Sequence, residues 1–174
     1  MKITLLGFIL ACFSSFAQTG QVFPTLKGMN LDGAPMSCPP KNGKYTILAI
    51  AYNKSAEDDL KKWLNPLYNA FIKKEKGSGN FDVAEIYDVN FVFVPLIAGF
   101  KKIAEEFKKG SDKAFWQYIL DTEKTDIREI ERQLGVTDVK KPYFYVLDKE
   151  GKIVEMQSGS FNEGKLEKLE DAIE

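Results

Sequence analysis

A chain of 174 residues with 44% apolar content is long enough for one domain that buries roughly 70% of its unfolded surface, without disulfides or metal to hold it. Its formal net charge of −1 gives no electrostatic reason to seek nucleic acid or an anionic membrane as partner. Histidine is absent, which removes Ser-His-Asp and Cys-His catalysis and every histidine-containing metal site.

The N-terminus reads as a targeting segment. Lys2 precedes the apolar run Ile3–Phe13, and Ser15 and Ala17 are the small residues that a cut after Ala17 requires. Residues 1–17 are therefore expected to be a secretory signal peptide, too short to span a membrane comfortably, and residues 18–174 a single domain, periplasmic or secreted. A second reading makes Cys12, after Ile9-Leu10-Ala11, a lipoprotein cysteine; membrane contact is expected only in that case. Simple cleavage removes Lys2 and leaves a formal charge of −2. Export implies an oxidising compartment, where Cys38 of the mature chain has no second cysteine to pair with and is a free thiol, an intermolecular linker or a reactive residue.

In chain order, Val22–Ser37 reads as a hairpin turned by Asn30-Leu31-Asp32-Gly33. Cys38-Pro39-Pro40 then leads through a loop to Tyr45–Tyr52, a short β-branched and aromatic run of the kind buried on both faces of a sheet. A helix follows, with Ser55 as the expected N-cap, acids in its first turn, Leu60, Trp63, Leu64, Leu67 and Phe71 on one face, and Pro66 as an expected kink. Lys73, Lys74 and Lys76 with Gly77–Asn80 are its expected end. Phe81–Val89 reads as a strand running into Asn90, and Pro95 as the first turn of a helix stopped by Lys108-Lys109-Gly110. The apolar stretch Phe91–Ile97 is expected in the interior, with an exposed contact surface as the alternative. Phe115–Leu120 is a strand candidate, and Asp126 with Glu129 opens a short helix closed by Gly135. Tyr143–Leu147 and Lys152–Gln157 form a hairpin about Asp148-Lys149-Glu150-Gly151, and Ser160 with Glu163 opens the last helix as a capping box. Strands alternating with helices imply an α/β domain: a mixed, mostly parallel central sheet with helices on both faces, an N-terminal β-hairpin and an antiparallel edge.

Taken in this order, Phe23-Pro24-Thr25-Leu26, Leu31-Asp32-Gly33, Gly43-Lys44-Tyr45, Pro66, Lys141-Pro142 and Leu147–Ile153 resemble the thioredoxin-like superfamily, in its exported peroxiredoxin-like and cytochrome-maturation branch. The resemblance covers nearly all of residues 22–174. It implies a thioredoxin-like fold, with a cis Lys141–Pro142 bond against the site at the start of the first helix. The family's Cys-x-x-Cys signature belongs at that helix start, yet no register between Asn53 and Lys62 holds a cysteine. Lys61-Lys62-Trp63-Leu64-Asn65-Pro66-Leu67 together with Lys141–Asp148 is also similar to the thioredoxin-like assembly factors of the mitochondrial ATP synthase, which lack the cysteine pair as well.

The functional reading that follows is a redox-inactive domain that binds a protein or peptide in the groove formed by Asn53, Lys54, Ser55, Asp58, Asp59, Lys141 and Pro142, with an assembly or chaperone-type role. Glu57, Asp58 and Asp59 are expected to stabilise the positive helix end rather than to bind metal, and no cofactor is implied. The alternative is a single-thiol oxidoreductase or peroxidase using Cys38, with Lys41 and Lys44 as the only nearby activators. A packed, inert cysteine is the simpler reading of the same residue.

Overall fold

The structure is a computed structural model that describes residues 18–71, 88–96, 108–122 and 126–173. Two antiparallel strands open it, β1 (Leu26–Asn30) and β2 (Pro35–Cys38). Asn30 closes their turn by accepting from the backbone N–H groups of Asp32 and Ala34 through its side chain, and Gly33 takes the positive φ (89°) that a side chain would strain. Strand β3 (Thr46–Ala51) follows, then α1 (Lys54–Phe71), which continues past Pro66. After β4 (Asn90–Pro95) come a 3₁₀ turn (Lys113–Tyr118), β5 (Leu120–Thr122), α2 (Ile127–Gln133), the hairpin of β6 (Tyr143–Leu147) and β7 (Ile153–Ser158), and α3 (Glu163–Asp171).

The central sheet has the order β4-β3-β6-β7, and a second sheet has the order β2-β1-β5. The central sheet is mixed, but parallel pairing is confined to β3 with β4; β6 runs against both β3 and β7. A parallel bridge between Phe93 and Ile119 joins the two sheets. Among the described residues no helix is long and apolar enough to cross a membrane.

Alternation along β3 divides the core. Ile47, Ala49 and Ala51 face one side with Phe91, Phe93, Phe144 and Val146, beneath Leu60, Trp63 and Leu67 of α1 and Leu169 of α3. Leu48 and Ile50 face the other side with Val92, Val94, Tyr145 and Leu147, beneath Phe23 and Leu26 of the N-terminal segment and Ile130 of α2. Helices thus cover both faces, and every residue of β3 is buried, as the apolar run Ile47–Ala51 requires. Each fully buried large side chain, such as Trp63 or Phe144, contributes about 1.5–3 kcal/mol of transfer free energy.

Several elements differ from the sequence expectation. Pro95 ends β4 instead of opening a helix: it pairs in register with Ala51 at the strand terminus, and Leu96 N–H carries on to the Ala51 carbonyl at 2.7 Å. The strand expected over Phe81–Val89 and the helix expected to follow Pro95 lie largely outside the described residues, and so does the expected end of α1. Phe91–Leu96 is interior. Phe115–Leu120 is mostly 3₁₀ turn rather than strand, because the Asp112 side chain accepts from Ala114 N–H at 2.9 Å and winds the chain before β5 can begin. Asp126 caps α2 as expected, accepting from Glu129 N–H. The last helix is capped at Asn162 and not at Ser160, whose hydroxyl is drawn away to α1.

Candidate functional site

Strand β3 delivers the chain through Tyr52 and Asn53 into α1. Asn53 is the cap: its Oδ1 accepts from Ala56 N–H at 2.9 Å, and its carbonyl accepts from Glu57 N–H at 3.0 Å. Ser55, the expected cap, lies inside the first turn with an exposed side chain. The first-turn acids take different paths. Glu57 turns inward, is only 2% exposed, and forms ion pairs with Lys54 at 2.8 Å and Lys61 at 2.7 Å. Asp58 stays in solvent, 3.9 Å from Lys54. Asp59 accepts from Ser160 Oγ at 2.6 Å and from Lys62 at 2.9 Å. The Ser160 hydroxyl first, and then the Lys62 hydrogen bond, hold its carboxyl below the usual carboxylate range.

The antiparallel register places Ile50 opposite Tyr143, so the end of β3 meets the beginning of β6. The rings of Tyr52 and Tyr143 stand edge to face at 5.9 Å. Pro142 is buried here, and its carbonyl accepts from Gly159 N–H at 2.9 Å. The Gly159 carbonyl in turn accepts from buried Trp63 Nε1 at 3.1 Å. A short turn, Gly159-Ser160, therefore clips α1 to the start of β6. Asn53, Lys54, Ser55, Asp58 and Asp59 reach one end of the sheet together with Lys141 and Pro142.

The Lys141–Pro142 bond is not cis. Among the described residues the one cis peptide bond is Cys38–Pro39. Lys141 closes a turn begun by Asp138: its N–H donates to the Asp138 carbonyl at 3.2 Å and its ammonium lies 3.2 Å from Asp138 Oδ2. Asp138 also accepts from Lys140 N–H at 3.0 Å. That turn delivers the chain into β6 through a trans bond and occupies the Lys141 N–H within the chain. Lys54, Ser55, Asp58 and Lys141 are all exposed at this end of the sheet.

Cys38, at the end of β2, is fully buried among Leu26, Leu48 and Tyr145. Burial pushes its thiol well above the ordinary value, so the thiolate that redox chemistry needs is disfavoured. It is a residue of the core beneath β3 and no part of the α1 terminus. Among the described residues no group of three His, Cys, Asp or Glu side chains is placed to hold a metal ion. The bracing residues Glu57, Lys61, Trp63, Gly159 and Ser160 are absent from the sequence-based site. The sequence signals for Glu57, Trp63 and Ser160 indicate a helix end, the core and a cap, and none of them indicates a brace.

The solved structures similar to this chain share its fold. The thioredoxin domain of a thiol-disulfide oxidoreductase from Bacteroides vulgatus superposes with a TM-score of 0.60 at 22% identity, over 90% of this chain and 98% of that one. The exposed lipoprotein thioredoxin of Streptococcus pneumoniae gives 0.53 at 21% identity, over 85% and 99%. BsSco, a member of the Sco family of cytochrome c oxidase assembly proteins, gives 0.53 at 12% identity, over 87% and 92%. No curated protein matches. The fold is thioredoxin-like, and the family model described as ATP10 protein matches residues 14–174, so the chain belongs to the ATP10 protein family.

Proposed function

We propose that this chain is a redox-inactive, exported member of its family that binds a protein or peptide partner, in an assembly or chaperone-type role, at the surface formed by Asn53, Lys54, Ser55, Asp58, Asp59, Lys141 and Pro142. The observation that carries the reading is the clip through Gly159 and Ser160, which fixes the start of α1 against Lys141–Pro142. A rigid platform with exposed charged side chains suits recognition. The absence of cysteine from Asn53 to Lys62 and the burial of Cys38 support a role without thiol exchange. Family membership and the likeness to a Sco assembly protein support assembly as the setting. The likeness to an exposed lipoprotein supports a place outside the cytoplasm, with cleavage after Ala17 or a lipid on Cys12 as the two routes.

The test is a pull-down from native extracts under reducing conditions, with the unaltered chain and with Ser55→Arg and Lys141→Glu. The expected result is one or more proteins retained without a disulfide and lost in both variants. Retention that needs an oxidised thiol, or that neither variant changes, overturns the reading. Mass measurement of the purified N-terminus separates cleavage before Gln18 from lipidation of Cys12.

A further inference from the structure

The N-terminal segment straps α2 to the central sheet. Its backbone joins the start of β7: Gly20 N–H donates to the Ile153 carbonyl at 2.7 Å, Ile153 N–H to the Gln21 carbonyl at 2.8 Å, and Phe23 N–H to the Gly151 carbonyl at 2.9 Å. Its side chains close the end of α2. The Glu131 and Arg132 carbonyls are taken locally, by Val136 and Gly135 N–H. The next two, of Gln133 and of Leu134 at the C-cap, accept from Gln21 Nε2 at 2.9 Å and from Gln18 Nε2. Without the strap both would be orphans of a helix terminus. Gly135 leaves room for it: its φ is positive (56°), and a Cβ there would lie 2.8 Å from Gln18 Nε2.

The seam beneath α2 is costly to close. Among the described residues four side-chain polar atoms are buried without a hydrogen-bond partner, and three of them belong to this seam: Gln18 Oε1 and the hydroxyls of Tyr52 and Tyr145. Tyr52 and Tyr145 pack in one core with Ile130 and Leu134. Their hydroxyls approach each other without a hydrogen bond of normal geometry. Burial first, and then the neighbouring Tyr145 and Glu131 of α2, push the Tyr52 phenol up, which places α2 over that ring. Water admitted to the seam would satisfy all three stranded atoms. With seven residues, α2 is too short to persist as a helix on its own. Its closure sets two buried side chains, Ile130 and Leu134, and the two strap bonds against those atoms.

We propose that α2 is a lid, latched by Gln18 and Gln21, that lifts from the Tyr52–Tyr145 seam as a unit while Phe23 and Leu26 keep Leu48 and Ile50 covered. Tyr52 precedes Asn53 and Tyr143 follows Pro142, so the rings under the lid adjoin the α1 platform. An open lid enlarges that surface, a consequence that rests on the partner-binding reading, whereas the latch does not. Residue-resolved hydrogen exchange of the purified chain in low urea needs no partner, so its outcome is separate from that of the pull-down. The amides of Ile130, Leu134 and Val136 are expected to exchange faster, and with weaker urea dependence, than those of Ile47–Ile50. Gln18→Ala combined with Gln21→Ala is expected to speed them about tenfold, through two lost hydrogen bonds. Tyr52→Phe combined with Tyr145→Phe is expected to slow them about fivefold, because the stranded hydroxyls that favour opening are gone. Gln21→Lys, which keeps a donor at the negative end of the helix, is expected to exchange more slowly there than Gln21→Glu. Amides of α2 that share the rate and urea dependence of β3 overturn the proposal, and so does a Gln18→Ala, Gln21→Ala chain in which they are unchanged. Acceleration by the two Tyr→Phe changes overturns it as well, since hydroxyls whose loss hurts closure are not stranded.

Discussion

Ser160 Oγ and Asp59 Oδ2 meet at 2.6 Å across 101 positions of sequence, and their bond fastens the turn before α3 to the first half of α1. Asp59 titrates below the usual carboxylate range in the folded chain because Ser160 and Lys62 hydrogen-bond its charged form. A carboxyl lowered in this way stabilises the fold fully above its unfolded pKa of about 3.9, and that stability fades as pH falls through the lower folded value. Ser160→Ala should cost about 0.5–1.5 kcal/mol near pH 7, the usual worth of one hydrogen bond. Once the pH has fallen below the lowered folded value the two chains should converge, as both carboxyls become protonated. Thermal melts across pH measure this; a constant difference at all pH values would detach Ser160 from the titration.

Glu57 predicts an asymmetry between the two sides of one ionic cluster. Its carboxylate is buried while Lys54 and Lys61 are partly exposed, so either ammonium can turn to water but the carboxylate cannot. Replacing both lysines with alanine should cost about 3–5 kcal/mol, because a buried charge is left unpaired. Glu57→Gln should cost about 1–3 kcal/mol. Urea unfolding of the three chains gives the order directly, and equal losses would contradict it.

Much of the frame around these residues was legible from sequence, where local pattern and tertiary role agree. Tyr45–Tyr52 and Tyr143–Leu147 read as interior strands because both faces of the sheet are covered and no charged side chain interrupts them. Asp126 read as a cap because its carboxylate accepts from a neighbour in sequence, Glu129 N–H. Two of the misses share one cause, a partner far away in sequence. Ser160 has the pattern of a cap, but Asp59 takes its hydroxyl. Pro95 has the pattern of a helix start, but β3 holds it as a strand end. Asn53 and Ser55 are both good caps two residues apart, and the chain uses the first, whose Oδ1 accepts from Ala56 N–H. The resemblance gave the Lys141–Pro142 bond the wrong isomer: the Asp138 turn delivers the chain into β6 through a trans bond.

Cys38 should react slowly with thiol reagents in the folded chain, at a rate set by opening rather than by thiolate formation, because the sulfur is fully buried and its thiolate disfavoured. Labelling should accelerate sharply through the urea transition. Cys38→Ser should cost about 1–3 kcal/mol by placing a hydroxyl in an apolar site. Fast native labelling near neutral pH would restore the single-thiol enzyme.

Gly28 marks where β1 and β5 approach too closely for any side chain. A Cβ there would collide with the Asp121 carbonyl, which is backbone and cannot swing aside. Gly28→Ala should therefore cost about 1–3 kcal/mol or more through displacement of β5. Gly20→Ala, where nothing lies within 4 Å, should be limited to the backbone strain of its positive φ of 88°. Denaturation midpoints of the two variants distinguish steric collision from backbone preference.

The side chains of Ile47–Ile50 are divided between two cores, Ile47 and Ala49 on one side and Leu48 and Ile50 on the other. Neither layer can open while this strand stays closed to solvent. The peptide hydrogens of Ile47–Ile50 should consequently exchange with deuterium only when the whole molecule unfolds, and their rates report its global free energy even where the surrounding loops exchange within seconds.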